Sequence, residues 1–150
     1  LRGFLLDTTV ISMLSPSRAQ ASAPFLEWLA RVDSESRLFI SVVAIHEIEK
    51  GIALLEHRGA TAKASGLKLW LAGLIAAYDD KIIGIDASAA ALAGQLEAKA
   101  ISAGHDPGMA DAAIAGIAKA QDLVVITDNR RHFLPFGIDV TTPDEAVGLG

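Results

Sequence analysis

The residues of this chain best placed to do chemistry are carboxylates that stand where a buried strand ends or a helix begins. Four recur in that setting: Asp7 after the apolar run Gly3–Leu6, Glu47 on an apolar-striped helix, Asp111 ahead of an Ala-rich helix, and Asp128 after the run Leu123–Ile126. Singly, each has an ordinary structural role, since an Asp after a strand commonly caps a helix or makes a turn. Asp86, whose following residues are plainly helical, reads as such a cap, and Asp106 before Pro107 reads as a loop residue. As a set the four acids read differently. Carboxylates converging on one edge repel one another, raise their own pKa values and destabilise a fold unless a cation is bound. Oxygen-only ligands suit Mg²⁺ or Mn²⁺. A cation so held lowers the pKa of water and stabilises charge on a phosphate and its leaving oxygen, so phosphodiester hydrolysis is the reaction class implied.

Bringing the acids together requires a fold whose strands end on a common edge. The chain has 150 residues, a formal charge of −5, 51% apolar and 21% charged residues, which excludes a disordered or fibrous protein and predicts one domain over residues 1–150. With aromatics at only 5%, the core must be built from Leu, Ile, Val and Ala, as suits helices packed on a buried sheet. The absence of Cys excludes a disulfide scaffold and any thiolate metal site. The acidic balance argues against holding nucleic acid by bulk electrostatics, though not against an enzyme that touches it briefly. Apolar stretches such as 38–45 fall far short of the ~20 residues that cross a bilayer. No basic stretch ahead of an apolar run opens the chain, so a soluble, cytoplasmic protein is expected.

Strand-like apolar runs at Gly3–Leu6, 38–43, 81–85 and Leu123–Ile126 alternate with helical patterns, and a fifth strand is expected over 137–140. From residue 8 to about 31 the pattern is a helical hairpin or two short helices. Helices are further expected over 44–58, 61–78, 87–103 and 112–119, with a terminal helix over 144–147. In the helix 44–58, Ile45, Ile48, Ile52 and Leu55 face the core and Glu47 lies off that stripe in the first turn. Uninterrupted apolar strands alternating with helices predict an α/β fold, a parallel sheet of four to five strands covered on both faces. Ligands in such folds bind outside the carboxyl ends of the strands, where Asp7 and Asp128 stand.

The residues around the acids resemble the motifs of PIN-domain nucleases. Leu5-Leu6-Asp7-Thr8-Thr9-Val10 is similar to their opening hydrophobic strand with Asp-Thr-Asn-Val, and the segment from Ser41 to Ile52 resembles their second motif, with Glu47 at the acid and Gly51 four residues later. Asp111-Ala112-Ala113-Ile114-Ala115 resembles the third, and Leu123-Val124-Val125-Ile126-Thr127-Asp128-Asn129 the fourth. Each motif is weak alone, but four in the right order across nearly the whole chain are specific. The likeness is strongest to the VapC type, including FitB-like members, which are toxins of toxin–antitoxin pairs and Mg²⁺-dependent ribonucleases.

That resemblance implies a three-layer α/β/α sandwich, RNA as substrate, a homodimer, and a small antitoxin whose tail occupies the active-site groove. It implies Asp7, Glu47 and Asp111 as metal ligands with Asp128 as the fourth acid. Thr8, Thr9, Thr127 and Asn129 would orient them by hydrogen bonds, and Arg130 and Arg131 would hold RNA phosphates. The antitoxin is expected to place an Arg among the carboxylates, where a guanidinium replaces the metal's charge. Two departures stand out: Thr9 replaces the family's Asn, and the family's fourth acid often falls at the position of Asn129. They leave open whether Asp128 or Asn129 completes the site, and they suggest as an alternative a catalytically weakened PIN-fold binding module. A phosphotransfer or phosphatase domain built on Asp7 is a further alternative, but the second adjacent acid it needs is missing, since positions 8 and 9 are both Thr. His46 reads as a surface or structural residue, and Trp28 and Trp70 as core or interface residues.

Overall fold

The computed structural model describes residues 1–18 and 21–149. Five strands form one parallel sheet: β1 (Gly3–Leu6), β2 (Leu38–Ser41), β3 (Ile82–Ile83), β4 (Leu123–Ile126) and β5 (Val140–Thr141). Their spatial order is β3-β2-β1-β4-β5, so β1 is central, with Leu5 opposite Phe39 on one side and Val125 on the other. After β3 the chain crosses back over β1 to begin β4. The edge between β1 and β4 is therefore the topological switch point, where ligands of open parallel sheets bind.

Alternation along the strands feeds two cores. Leu5 and Val125 point to the face covered by α5 (Ala87–Ser102) and α6 (Met109–Gln121), while Phe4, Leu6 and Ile126 point to the face covered by α1 (Thr8–Met13) and α2 (Ala23–Ser34). On that second face Trp28 is buried, edge-on to Phe4 and stacked near Phe25. A smaller cluster of Ile52, Ala64 and Leu71 joins α3 (Val42–His57) to α4 (Thr61–Tyr78). The arrangement is the expected α/β sandwich with a five-stranded parallel sheet between helical layers. Among the described residues no helix is long and apolar enough to cross a membrane.

Several boundaries differ from expectation for identifiable reasons. Val42 and Val43 belong to α3 rather than β2, because the Ser41 hydroxyl accepts the Ala44 N–H at 3.2 Å and starts the helix there. Glu47 consequently lies in the second turn, not the first. Helix α6 begins at Met109 rather than Ala112, Gly108 serving as its extended N-cap, so that Asp111 lies inside the first turn, where a carboxylate complements the dipole. Strands β3 and β5 are two residues long; each is an edge strand with a single partner, and a 3₁₀ turn at Asp79–Lys81 takes Lys81, which the apolar pattern assigned to β3. The helical stretch expected from residue 8 to 31 resolves into α1 and α2, with residues 19 and 20 outside the described set. The terminal helix, α7 (Pro143–Val147), is closed by a capping box between Thr142 and Glu145.

The packing of α5 on α6 depends on one glycine. A Cβ at Gly116 would lie 2.6 Å from the Ala89 carbonyl oxygen and 2.7 Å from the Ala93 Cβ, so only Gly permits this approach. Since Asp111 rides on the same helix, that contact helps fix where its carboxylate falls.

Candidate active site

Asp7 follows β1 directly, its N–H bonded to the Ile126 carbonyl at 2.9 Å, and is 3% exposed. Although it stands at the N-cap of α1, its side chain does not cap the helix. Instead its Oδ2 accepts two hydroxyl hydrogen bonds, from Thr9 at 2.9 Å and from the fully buried Thr127 at 2.9 Å. Thr9 has a second task, since its Oγ1 accepts the Asp128 backbone N–H at 3.2 Å and so ties the loop after β4 to α1. Its neighbour Thr8 turns the other way and donates to Glu47 Oε1 at 2.6 Å.

These contacts bring Asp7, Glu47, Asp111 and Asp128 to the wall of a single cavity of about 350 Å³ at the carboxyl edge of the sheet, together with Thr8, Thr9, Arg18 and His132. The acids come from four separate elements or their ends. Among the described residues no three carboxylate or imidazole groups are drawn together tightly enough to form a ready-made metal cage. The donor chemistry is nevertheless that of a hard divalent cation: acidic oxygens predominate and no thiolate is present.

Electrostatics agrees with that reading of the donors. Burial pushes the Asp7 carboxyl up, opposed by the hydroxyls of Thr127 and Thr9 and the Thr8 backbone, with the Glu47 charge adding to the rise. Asp111 is pushed up to about 6, first by burial and then by the charge of Asp7; His132 opposes the rise and Glu47 adds to it. Two acids with raised pKa values in one cleft mark a place where positive charge is wanted.

His132 is the residue that sequence reasoning undervalued. Its Nδ1 lies 3.4 Å from Asp111 Oδ2 and its Nε2 lies 3.0 Å from the Asn129 amide nitrogen. The Asn129 amide and His132 Nε2 share a hydrogen bond whose direction depends on the ring's tautomer, and Nδ1 stands at charge-pair distance from Asp111. Asn129 is thus directed at His132, while Asp128 lines the cavity. The Asn129 backbone N–H is held by the Thr127 hydroxyl at 3.0 Å. Of the two arginines expected at RNA phosphates, Arg130 donates to Glu145 of the α7 capping box, and Arg131 lines a neighbouring cavity of about 400 Å³ that meets the acidic one at Asp111 and His132. Arg18, which no motif flagged, lines the acidic cavity itself. His46 lies apart, on an apolar surface with Val42, Ile85 and Met109.

Toxin FitB of Neisseria gonorrhoeae is 29% identical over 139 residues, spanning 93% of this chain and 96% of that protein. The crystal structure of FitAcB from Neisseria gonorrhoeae superposes with a TM-score of 0.71 at 28% identity, covering 93% of this chain and 97% of that one. The DNA-bound VapBC structure from Salmonella typhimurium superposes at 0.70 with 24% identity, covering 95% and 99%, a likeness of fold alone. The model of the PIN domain family matches residues 4–134, which takes in all four acids, and the chain belongs to that family.

Proposed function

We propose that this PIN-domain protein is a divalent-cation-dependent ribonuclease and the toxin of a toxin–antitoxin pair of the VapBC/FitAB kind. The observation that carries the reading is the convergence of Asp7, Glu47, Asp111 and Asp128 on one cavity, with two of the four carboxyls held above their ordinary pKa. Such a cluster costs stability unless something cationic is bound. Asp7, Glu47, Asp111 and Asp128 would hold Mg²⁺ or Mn²⁺, which supplies a more acidic water and charge stabilisation at a phosphodiester.

The chain's own groups do the positioning. Thr9 and Thr127 fix Asp7 through one carboxylate oxygen, and neither hydroxyl touches Oδ1. Thr8 orients Glu47, and Asn129 orients His132, whose ring stands 3.4 Å from Asp111. These contacts hold carboxylates in place before a ligand arrives, which lowers the cost of binding one. The partner we propose is a small antitoxin that inserts an Arg among the same acids, and the oligomeric state a homodimer; the likeness to FitB and to the FitAcB complex supports the antitoxin.

The test is cleavage of a mixed-sequence RNA with Mg²⁺, Mn²⁺ or EDTA, paired with calorimetric titration of Mn²⁺ into the metal-free protein. Metal-dependent cleavage abolished by Asp7→Asn is the expected result. Failure both to bind Mn²⁺ and to cleave RNA would favour a PIN fold that only binds a partner.

A further inference from the structure

A second cavity, of about 310 Å³, opens off the acidic one between α1, α3 and α4 and shares Thr8, Ser12, Arg18 and Glu47 with it. Its floor is apolar, with Ile48 and Ile52 beside the half-buried Trp70, which packs from behind on the cluster of Ile52, Ala64 and Leu71. Its rim carries Arg18, Arg58 and Lys63, brought from the turn after α1, the C-cap of α3 and the first turn of α4. Among the described residues lining it, Glu47 is the sole carboxylate, and it faces the acidic cavity as well.

The groove's charge and lining point to what it holds. Arg58 and Lys63 form no ion pair among the described residues, as is also true of Lys50, Lys99, Lys119 and Arg131 elsewhere; what the groove adds is the gathering of three cations on one rim. Lys63 stands in the first turn of α4, where the positive end of the helix dipole disfavours a cation, so helix stability does not account for it. The groove also brings an aromatic side chain, Trp70, to the same cavity wall as these cations, the combination by which proteins hold single-stranded nucleic acid: stacking for the bases and positive charge for the backbone. In sequence Trp70 has no basic cluster beside it; folding assembles one from three elements.

We propose that this groove holds the single-stranded RNA leading into the acidic cavity, Arg58 and Lys63 contacting backbone phosphates and Trp70 stacking on a base. The proposal rests on the ribonuclease reading above and adds to it where the substrate strand lies. Charge complementarity selects the occupant: a polyanion matches a rim of three cations, and continuity with the acidic cavity carries the strand to the carboxylates.

The experiment uses the whole chain and a short, labelled, mixed-sequence single-stranded RNA, with binding read by anisotropy in EDTA across a salt series and cleavage read separately in Mg²⁺. Each phosphate contact on a single strand contributes about 0.7 to the slope of log Kd against log salt, so Arg58→Ala with Lys63→Ala should lower that slope by about 1.4. Both side chains are exposed, so the double variant is expected to fold. RNA should quench the fluorescence of Trp70 in the unaltered protein, where Trp28, 3% exposed, is shielded. Trp70→Leu should weaken binding ~5- to 100-fold and Trp70→Phe, which keeps an aromatic face, much less. If the unaltered protein binds and cleaves RNA while the double variant keeps its affinity and slope, the groove assignment is wrong and the ribonuclease reading stands. If the double variant keeps RNA binding but loses a co-expressed partner protein, the groove belongs to that protein and the proposal is overturned. Absence of both RNA binding and cleavage in the unaltered protein overturns both readings.

Discussion

Replacing Asp111 by Asn should stabilise this protein and, on the proposed reading, abolish RNA cleavage. The Asp111 carboxyl moves from its ordinary 3.8 to about 6 in the folded state. The displacement is roughly two pH units, or about 3 kcal/mol of preference for the protonated form. The side chain is 23% exposed, so solvent screening removes little of this. Because the folded pKa is raised above the unfolded one, the unfolded state ionises first as pH rises. Stability contributed by the protonated group is full below about pH 4, declines between there and about pH 6, and is gone at neutrality. Asp111→Asn deletes that penalty and keeps the size and shape of the side chain. In EDTA at pH 7 the variant should gain up to about 3 kcal/mol, a melting temperature higher by roughly 6–12 °C for a chain of this size. Near pH 4 the two proteins should melt together as far as this group is concerned. Adding Mn²⁺ should raise the melting temperature of the unaltered protein more than that of the variant, since a ligand that binds only the folded state stabilises it. Urea and thermal unfolding followed by circular dichroism at both pH values provide the measurement. A variant less stable than the parent at pH 7, or a gain that does not depend on pH, would refute the reasoning.

Other perturbations probe the supports of the site. Gly116→Ala should cost ~1–3 kcal/mol in urea unfolding, because its Cβ would meet the Ala89 carbonyl, and should also lower RNA cleavage by displacing the helix that carries Asp111. Thr127→Val takes a buried donor from Asp7 and an acceptor from the Asn129 N–H, a loss of ~1.5–3 kcal/mol, and should raise the Asp7 pKa further, as read by carboxyl NMR titration. On the proposed reading, Asp128→Asn should reduce Mg²⁺-dependent cleavage more than Asn129→Ala, which loses only an orienting contact through His132, an effect of ~10–100-fold. Full activity in Asp128→Asn would take Asp128 out of the site.

The fold was legible wherever hydrophobic pattern and local chemistry agreed. Runs such as Leu123–Ile126 are apolar on both faces and bounded by polar residues, and they end where the pattern ends. The pattern failed where a single hydrogen bond outweighed β-propensity: Val42 and Val43 look like strand, yet the Ser41 side chain turns them into the first turn of α3. It failed again at Gly108, which starts a helix with no side-chain cap to announce it, and at the edge strands, whose length is set by a neighbour distant in sequence.

The site shows a sharper division. Strand ends and helix starts were enough to suggest which acids share an edge, because a parallel sheet aligns its carboxyl ends whatever the loops do. The partners of each acid were not readable, since they depend on turns of the backbone between adjacent residues. Thr8 and Thr9 occupy successive positions on α1, roughly 100° apart around the helix axis, so one reaches Glu47 and the other Asp7. Likewise, strand alternation would send Asn129 into the site and leave Asp128 at its rim, but β4 stops at Ile126 and alternation stops with it. The Asp128 N–H is then caught by Thr9 Oγ1, which places Asp128 on the cavity wall while the Asn129 side chain turns to His132. The Thr at position 9, a departure from the family's Asn, thus joins the two ends of the site: one hydroxyl both steadies Asp7 and holds the turn after β4 that carries Asp128 to the cavity wall.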